Sequence, residues 1–331
     1  MAGVHADDQP ASASNHIKNV AVVGAAGGQG SYITAELLNT GQHNVTAITR
    51  LESTSTFPNG VSIAKVDYDE HNSLTDAMRG QDALIITMNA RAPQESVTKL
   101  VEAAIDANVP WILPNEWGYD YTDPDVNRDT MLGDSQLAIR KLIESKTTKT
   151  AWIAVACGFW YDYSLAAGVS TFGFDFENKK VTFYNDGTAK VYCSTLPYVG
   201  QAVAKLLSLP ISADRAGNER PCLEEYRNSI FRVHAFHISQ EDMLSSVLRV
   251  TGGKEGDWTI RHVTPEARYV EGKKMFEQRD MIGYRVMLYS RYFYPSLPVK
   301  ELEDYSDARL GLNQPSLDEV TKLAVDKAME K

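Results

Sequence analysis

The chain has 331 residues, with 43% hydrophobic and 23% charged side chains and a formal net charge of −10, the profile of a globular domain or two joined ones. The acidic balance argues against a general nucleic-acid partner, and no apolar run reaches the roughly 18 residues that cross a bilayer. Cys157, Cys193 and Cys222 show no paired spacing, so free thiols in a reducing, cytoplasmic setting are expected, with neither disulfide nor metal.

In chain order, residues 1–16 are polar and lack a signal core, which suggests a disordered leader. Asn19–Gly24 is a short apolar run that leads into glycines. "SYITAELLNTG" then has helical spacing and a glycine stop. Strands are expected at "NVTAITR", "VSIAKVDY", "DALIITMN", "WILPNE" and "TAWIAVACGFW". Helices are expected at "HNSLTDAMRG", "PQESVTKLVEAAIDANV" and "DSQLAIRKLIESK". This alternation predicts an α/β fold, a Rossmann-type doubly wound parallel sheet. The second half turns aromatic, with seven aromatic residues in the twenty of "GFWYDYSLAAGVSTFGFDFE". "FRVHAFHIS" alternates like a strand, and its His234 and His237 lack nearby partners for a metal. "MIGYRVMLYSRYFYPSLPVK" alternates poorly and reads as a helix or loop over a cleft, with a homodimer contact as the other reading. "SLDEVTKLAVDKAMEK" opens on a Ser316–Glu319 capping box and reads as a docking helix.

Gly24, Gly27 and Gly30 form GxxGxxG between the first strand and first helix. Glycine there lets backbone approach a pyrophosphate, and the helix N-terminus offers free N–H groups. Ala26 and Gln29 lie in the same turn and join the candidate cofactor residues. Arg50 ends the second strand, about 20 residues beyond Gly30, where an acid would instead accept the ribose hydroxyls of NAD(H). A guanidinium pairs with a 2′-phosphate and stacks on adenine, so NADP(H) is the expected cofactor. Glu52 competes for a ribose contact, and Ser53, Thr54 and Ser55 offer hydroxyls to a phosphate.

With these segments assembled, the chain resembles the NmrA-like, isoflavone-reductase-like branch of the atypical short-chain dehydrogenases. The likeness rests on the glycine turn with its basic strand end, on "LPNEWGYD", "VACGFWYDYSLA" and "YNDGTAKVYCSTLPYVGQAVAKLLSLP", and on "FRVHAFHISQEDMLSSVLRVTG". The resemblance implies a cofactor domain over 17–160, with a return at about 192–210, and a mainly substrate-binding domain over 161–331. It places Met88 and Asn89 near the ribose and Asn115 and Glu116 near the nicotinamide. Phe159, Tyr161 and Tyr163 would line the substrate side of the cleft. One departure matters. Family reductases carry a catalytic lysine at the start of the helix where this chain aligns Gln136; Lys141 lies more than a turn later. Glutamine holds a carbonyl by hydrogen bonds but shuttles no proton. "YVEGK" at 269–273 copies the YxxxK of ordinary short-chain dehydrogenases, but it lies too far downstream and is a coincidence.

The expected activity is an NADPH-dependent reduction of a small aromatic or conjugated carbonyl substrate in secondary metabolism. Tyr161, or water held by Gln136 or Asn115, would supply the proton. A non-catalytic NADP(H)-sensing regulator is the alternative from another class, and an isomerase or cyclase on the same scaffold is the variant within enzymes.

Overall fold

A computed structural model describes residues 14–89, 92–213, 221–295 and 309–330. The first half runs β1 (Asn19–Val23), α1 (Gly28–Asn39), β2 (Asn44–Arg50), β3 (Ser62–Val66), α2 (His71–Met78), β4 (Ala83–Ile86), α3 (Gln94–Asp106) and β5 (Trp111–Leu113). It continues through β6 (Trp117–Gly118), α4 (Pro124–Thr130), α5 (Asp134–Lys146), β7 (Ala151–Ala156), β8 (Phe159–Trp160) and α6 (Tyr161–Ala166). The second half adds β9 (Phe174–Asp175), β10 (Lys180–Tyr184), β11 (Lys190–Ser194), α7 (Leu196–Leu207), β12 (Ser229–Arg232) and β13 (Phe236–Ser239). It ends with α8 (Gln240–Thr251), β14 (Thr259–Val263), α9 (Pro265–Glu277), α10 (Met281–Arg291) and α11 (Leu317–Met329).

The main sheet has the order β12-β7-β5-β4-β1-β2-β3, with β6 beside β7, and every pairing in it is parallel. Its central strands are apolar throughout because both faces are covered. Val20 and Val22 of β1 and Ala83 and Ile85 of β4 pack with Ile33 and Leu37 of α1 and with the α7 layer. The intervening Ala21, Val23, Leu84 and Ile86 face Leu100 of α3 and Ile143 of α5. The expected Rossmann-type doubly wound sheet is therefore the fold.

Two smaller sheets, β14-β10-β9 and β13-β11-β8, belong to the second half. The first apolar cluster runs without a break from Ile17 through the aromatic residues of the second half to Val325. The last helix docks as expected, with Ser316 Oγ accepting from Glu319 N–H at 3.4 Å.

Three strands are shorter than their sequences suggest. β5 stops at Leu113, where Pro114 brings no N–H to a ladder. The Thr150–Trp160 run breaks after Ala156, where the N–H groups of Cys157 and Gly158 both bond the Gly118 carbonyl (2.7 and 3.0 Å). Gly158 has φ +71°, and a side chain there would collide with the Tyr192 carbonyl. The "FRVHAFHIS" run also splits. Its first part joins β7 in the main sheet and its last part joins β11, with Val233 and Ala235 bonding Ala156 and Cys193 across the break. Of the aromatic segment near the C-terminus, residues 281–291 form α10, and 296–300 lie outside the described residues. Most of the expected leader, residues 1–13, also lies outside them.

Candidate functional site at the carboxyl edge of the sheet

From β1 the chain moves outward to β2 and β3, then returns to the other side of β1 as β4. This reversal opens a crevice above the carboxyl ends of β1 and β4, the place where doubly wound sheets take ligands. The glycine turn sits on it. Gly24 adopts φ +79°, and Gly27 N–H donates to the Gly24 carbonyl at 2.8 Å. Beside the turn, the Thr87 N–H and Oγ1 both donate to the Val23 carbonyl, at 2.9 and 2.8 Å.

The glycines have different duties. A Cβ on Gly30 would come within 2.5 Å of Thr87 Oγ1, so Gly24 and Gly30 let α1 press against the strand ends. Gly28 meets nothing within 4 Å and is exposed along with Ala26 and Gly27. No packing inside the protein demands glycine at Gly28. The open position and close-approach backbone fit a pyrophosphate cradle.

α1 itself supports that fit. Its N-cap, Gly27, has no side-chain cap, and its first turn has no acid. Helical bonding begins with Ser31 N–H to Gly27 O, leaving the N–H groups of Gly28, Gln29 and Gly30 outside the ladder. With the dipole, those donors favour an anion. Gln29 ties the turn to α7 through Nε2 and the Leu196 carbonyl (3.4 Å), while its buried Oε1 has no partner.

Val23 of β1 pairs with Ile48 of β2, so Arg50 leaves the sheet at the same edge as Gly24. Arg50 is exposed and makes no ion pair among the described residues. Burial pushes the neighbouring Tyr68 hydroxyl up, and the Arg50 charge acts against that rise. Glu52 is exposed, and Ser53 Oγ donates to Ser55 Oγ at 3.2 Å.

Other expected site residues divide sharply. Met88, Asn89 and Asn115 follow β4 and β5 at the edge, Asn89 exposed and the other two half-buried. Glu116 turns inward instead and is 3% exposed. Arg140 of α5 grips it, Nη2 to Oε2 at 2.5 Å. The carboxylate is thus committed to an internal ion pair. Burial pushes the Glu116 carboxyl up, and the Arg140 bonds work the other way.

Gln136 occupies the third position of α5. Its Oε1 accepts from Gly133 N–H (3.0 Å) and Ser135 Oγ (2.8 Å), closing the helix start. Tyr161 is fully buried, and its hydroxyl bonds Thr321 Oγ1 of α11 at 2.7 Å. A proton donor needs access to substrate, so the expectation for Tyr161 as catalyst and cleft residue is corrected. Phe159 is also core, stacked on Tyr289 at 4.2 Å and edge-on to Tyr119 at 4.9 Å. Tyr163 is 47% exposed on the outer side of α6, with Lys327 Nζ of α11 6.0 Å from its ring centre. Phe159 and Tyr161 thus pack inside the protein, while Tyr163 stays open to solvent.

The turn that follows Glu116 is anchored by two aromatics whose partners lie far along the chain. Trp117 Nε1 donates to the Ile86 carbonyl at 2.8 Å, and Tyr119 stacks on Tyr292 at 3.8 Å. The alternation in "EWGYDY" was a usable signal for this. Among the described residues no three or more His, Cys, Asp or Glu side chains gather as metal ligands. No helix there is long and apolar enough to cross a membrane. Tyr269 of the YxxxK copy sits on α9 and donates to the Asp129 carbonyl at 2.7 Å.

The sheet order and the crevice define a Rossmann-type protein. A model of the NmrA-like family matches residues 16–182. The oxidoreductase aprR of Aspergillus flavus is 27% identical over 274 residues, 81% of this chain and 85% of its own. The oxidoreductase poxI of Penicillium oxalicum is 26% identical over 304 residues, covering 89% and 90%. A solved structure of AtPrR2 with NADP+ and (+)pinoresinol superposes with a TM-score of 0.71 at 19% identity, covering 93% of this chain and 99% of that one. The chain belongs to the NmrA-like family, and its place is among that family's oxidoreductases.

Proposed function

We propose that the protein is an NADPH-dependent reductase of a small aromatic or conjugated carbonyl compound. The observation that carries this reading is the exposed, uncapped Gly27–Gly28 start of α1 at the β1/β4 crevice, with Arg50 at the same edge and without an ion pair among the described residues. The names of the relatives support the same chemistry: two oxidoreductases matched over most of their length, and a neighbour solved with NADP+ and (+)pinoresinol.

In this reading the N–H groups of Gly28, Gln29 and Gly30 hold the pyrophosphate, with Gly24, Ala26 and Gly27 shaping the turn. Arg50 receives the 2′-phosphate, helped by the hydroxyls of Ser53 and Ser55. Met88 and Asn89 flank the ribose. NADPH supplies the hydride when bound.

Two of the expected groups are otherwise engaged: the Gln136 oxygen closes a helix start and the Tyr161 hydroxyl is sealed in the core. Asn115 remains at the edge, and its amide orients the substrate oxygen and the water that protonates it. Such an arrangement suits a substrate already activated, such as an enone or quinone methide. The second half supplies the other wall of the cleft.

The test is calorimetric titration with NADPH and NADH, beside an Arg50→Glu variant, followed by NADPH consumption with a panel of enones and quinones. NADPH preference lost in the variant, together with turnover, supports the reductase. NADPH binding without turnover of any panel member supports a cofactor-sensing regulator. Equal affinity for the two cofactors removes Arg50 as the phosphate reader, and no binding of either ends the reading.

A further inference from the structure

Away from the glycine crevice, α5 and β12 border an open hollow of about 350 Å³. Topology explains why it exists. β12 is the outermost strand of the main sheet, and the chain passes from it directly to β13 in another sheet. No crossover helix follows β12 to fill the space beside α5. The floor is apolar, built from Trp152, Ile230 and Leu137.

Four charged residues stand on its wall, Arg140, Lys141, Arg232 and Glu144. Three are cations, in a chain where acids outnumber bases 43 to 33. Arg232 is occupied with Asp120 at 2.7 Å. Arg140 holds Glu116 through Nε and Nη2, so its Nη1 is outside that pair. Lys141 is exposed and makes no ion pair among the described residues. Glu144 is turned to the floor, where it accepts from Trp152 Nε1 at 2.8 Å. The same indole has the Arg140 guanidinium over its ring at 4.7 Å. Apolar surface and the unpaired ammonium of Lys141 therefore meet in one hollow, where Glu116 and Asp120 balance the charges of Arg140 and Arg232 and Arg140 Nη1 is a further N–H donor.

We propose that this hollow is a second small-molecule site, separate from the cofactor crevice, and that it takes a planar aromatic carboxylate. Its ring lies against Ile230 and Leu137, beside the Arg140-covered indole of Trp152. Its carboxylate receives charge-assisted bonds from Lys141 Nζ and Arg140 Nη1. The volume lies in the range of known ligand pockets, roughly 300–1,000 Å³. Arg140 also fixes Glu116, the residue after Asn115, so one side chain touches both the hollow and the turn at the cofactor edge.

The probes are benzoate and its neutral analogue benzamide, titrated calorimetrically into the full chain with and without NADPH. Lys141→Gln removes one cation at an exposed position, and Ser229→Phe fills the hollow from the β12 side. Saturable benzoate binding is expected, weakened about tenfold for benzamide and for Lys141→Gln, as loss of a charged hydrogen bond implies. Ser229→Phe is expected to abolish it, with NADPH affinity unchanged in both variants. Equal binding of the two probes, benzoate binding that neither variant alters, or no saturable binding overturns the site. NADPH is read in the same titrations, so its failure to bind beside intact benzoate binding would sink only the reductase reading.

Discussion

Arg140 and Glu116 lie in a bidentate contact, Nη2 to Oε2 at 2.5 Å and Nε to both carboxylate oxygens at 3.1 Å, with side chains only 7% and 3% exposed. The pair clamps α5 to the turn that carries Asn115. Arg140→Leu leaves a buried carboxylate without a partner and is expected to cost about 3–5 kcal/mol in urea unfolding. Adding Glu116→Leu should recover much of that loss, because two apolar side chains then replace the pair. A double variant no more stable than the single one would show that the cost arises elsewhere.

The glycine turn separates packing from ligand binding. Gly30→Ala puts a methyl group within 2.5 Å of Thr87 Oγ1 and 2.8 Å of the Gly24 carbonyl carbon. Overpacking of that kind costs about 1–3 kcal/mol, which thermal melts should register. Gly28→Ala meets nothing within 4 Å and adds a helix former inside α1. Its stability should hold or rise by up to about 1 kcal/mol, while NADPH affinity falls about tenfold or more, a loss of at least ~1.4 kcal/mol. A Gly28→Ala protein that binds NADPH normally would place the dinucleotide elsewhere.

For Tyr161 a structural role is expected. Tyr161→Phe removes the bond to Thr321, whose Oγ1 still meets Ser246 Oγ at 2.8 Å. Stability should drop by about 1–2 kcal/mol, with kcat of the NADPH reaction unchanged. A large fall in kcat at full stability would restore the tyrosine to the chemistry.

Acid should weaken the fold from about pH 6.5 downward. His43 is buried, with Nδ1 at 3.0 Å from the Ile17 carbonyl and Nε2 at 3.1 Å from Ser208 Oγ. Burial lowers its pKa, and burial with the nearby His237 pulls His234 down to about 4. Both folded values lie below the unfolded value of about 6.5. The unfolded chain thus binds more protons between those limits, and stability falls as pH drops from about 6.5 towards 4. Urea midpoints across that window check the sign, and a His43→Gln, His234→Gln double variant should flatten the slope. An unchanged slope would assign it to other groups.

Much of the scaffold was legible because local chemistry and global fold agree there. The apolar runs at Val20–Val23 and Ala83–Ile86, bounded by glycine or polar turns, leave little choice for strands buried on both faces. The glycine turn was readable for a related reason: its context of strand and helix is encoded within about 30 consecutive residues. The breaks at Gly158 and Val233–Ala235 were not. The glycine at 158 hinted at the first, but the partners, the Gly118 carbonyl and the distant strand β11, come from far along the chain.

The sequence by itself determined the order of the strands and helices along the chain and the position of the glycine turn at a helix start. It also set Arg50 at the end of the second strand. These depend on backbone preferences and hydrophobic periodicity, which act over a few residues. Tertiary structure alone decided what each polar or aromatic side chain faces. It buried Tyr161 against Thr321, committed Glu116 to Arg140, spent the Gln136 oxygen on a helix end and left an open hollow beside β12. Those outcomes rest on contacts between residues far apart in the chain, where burial and partner availability fix a side chain's role.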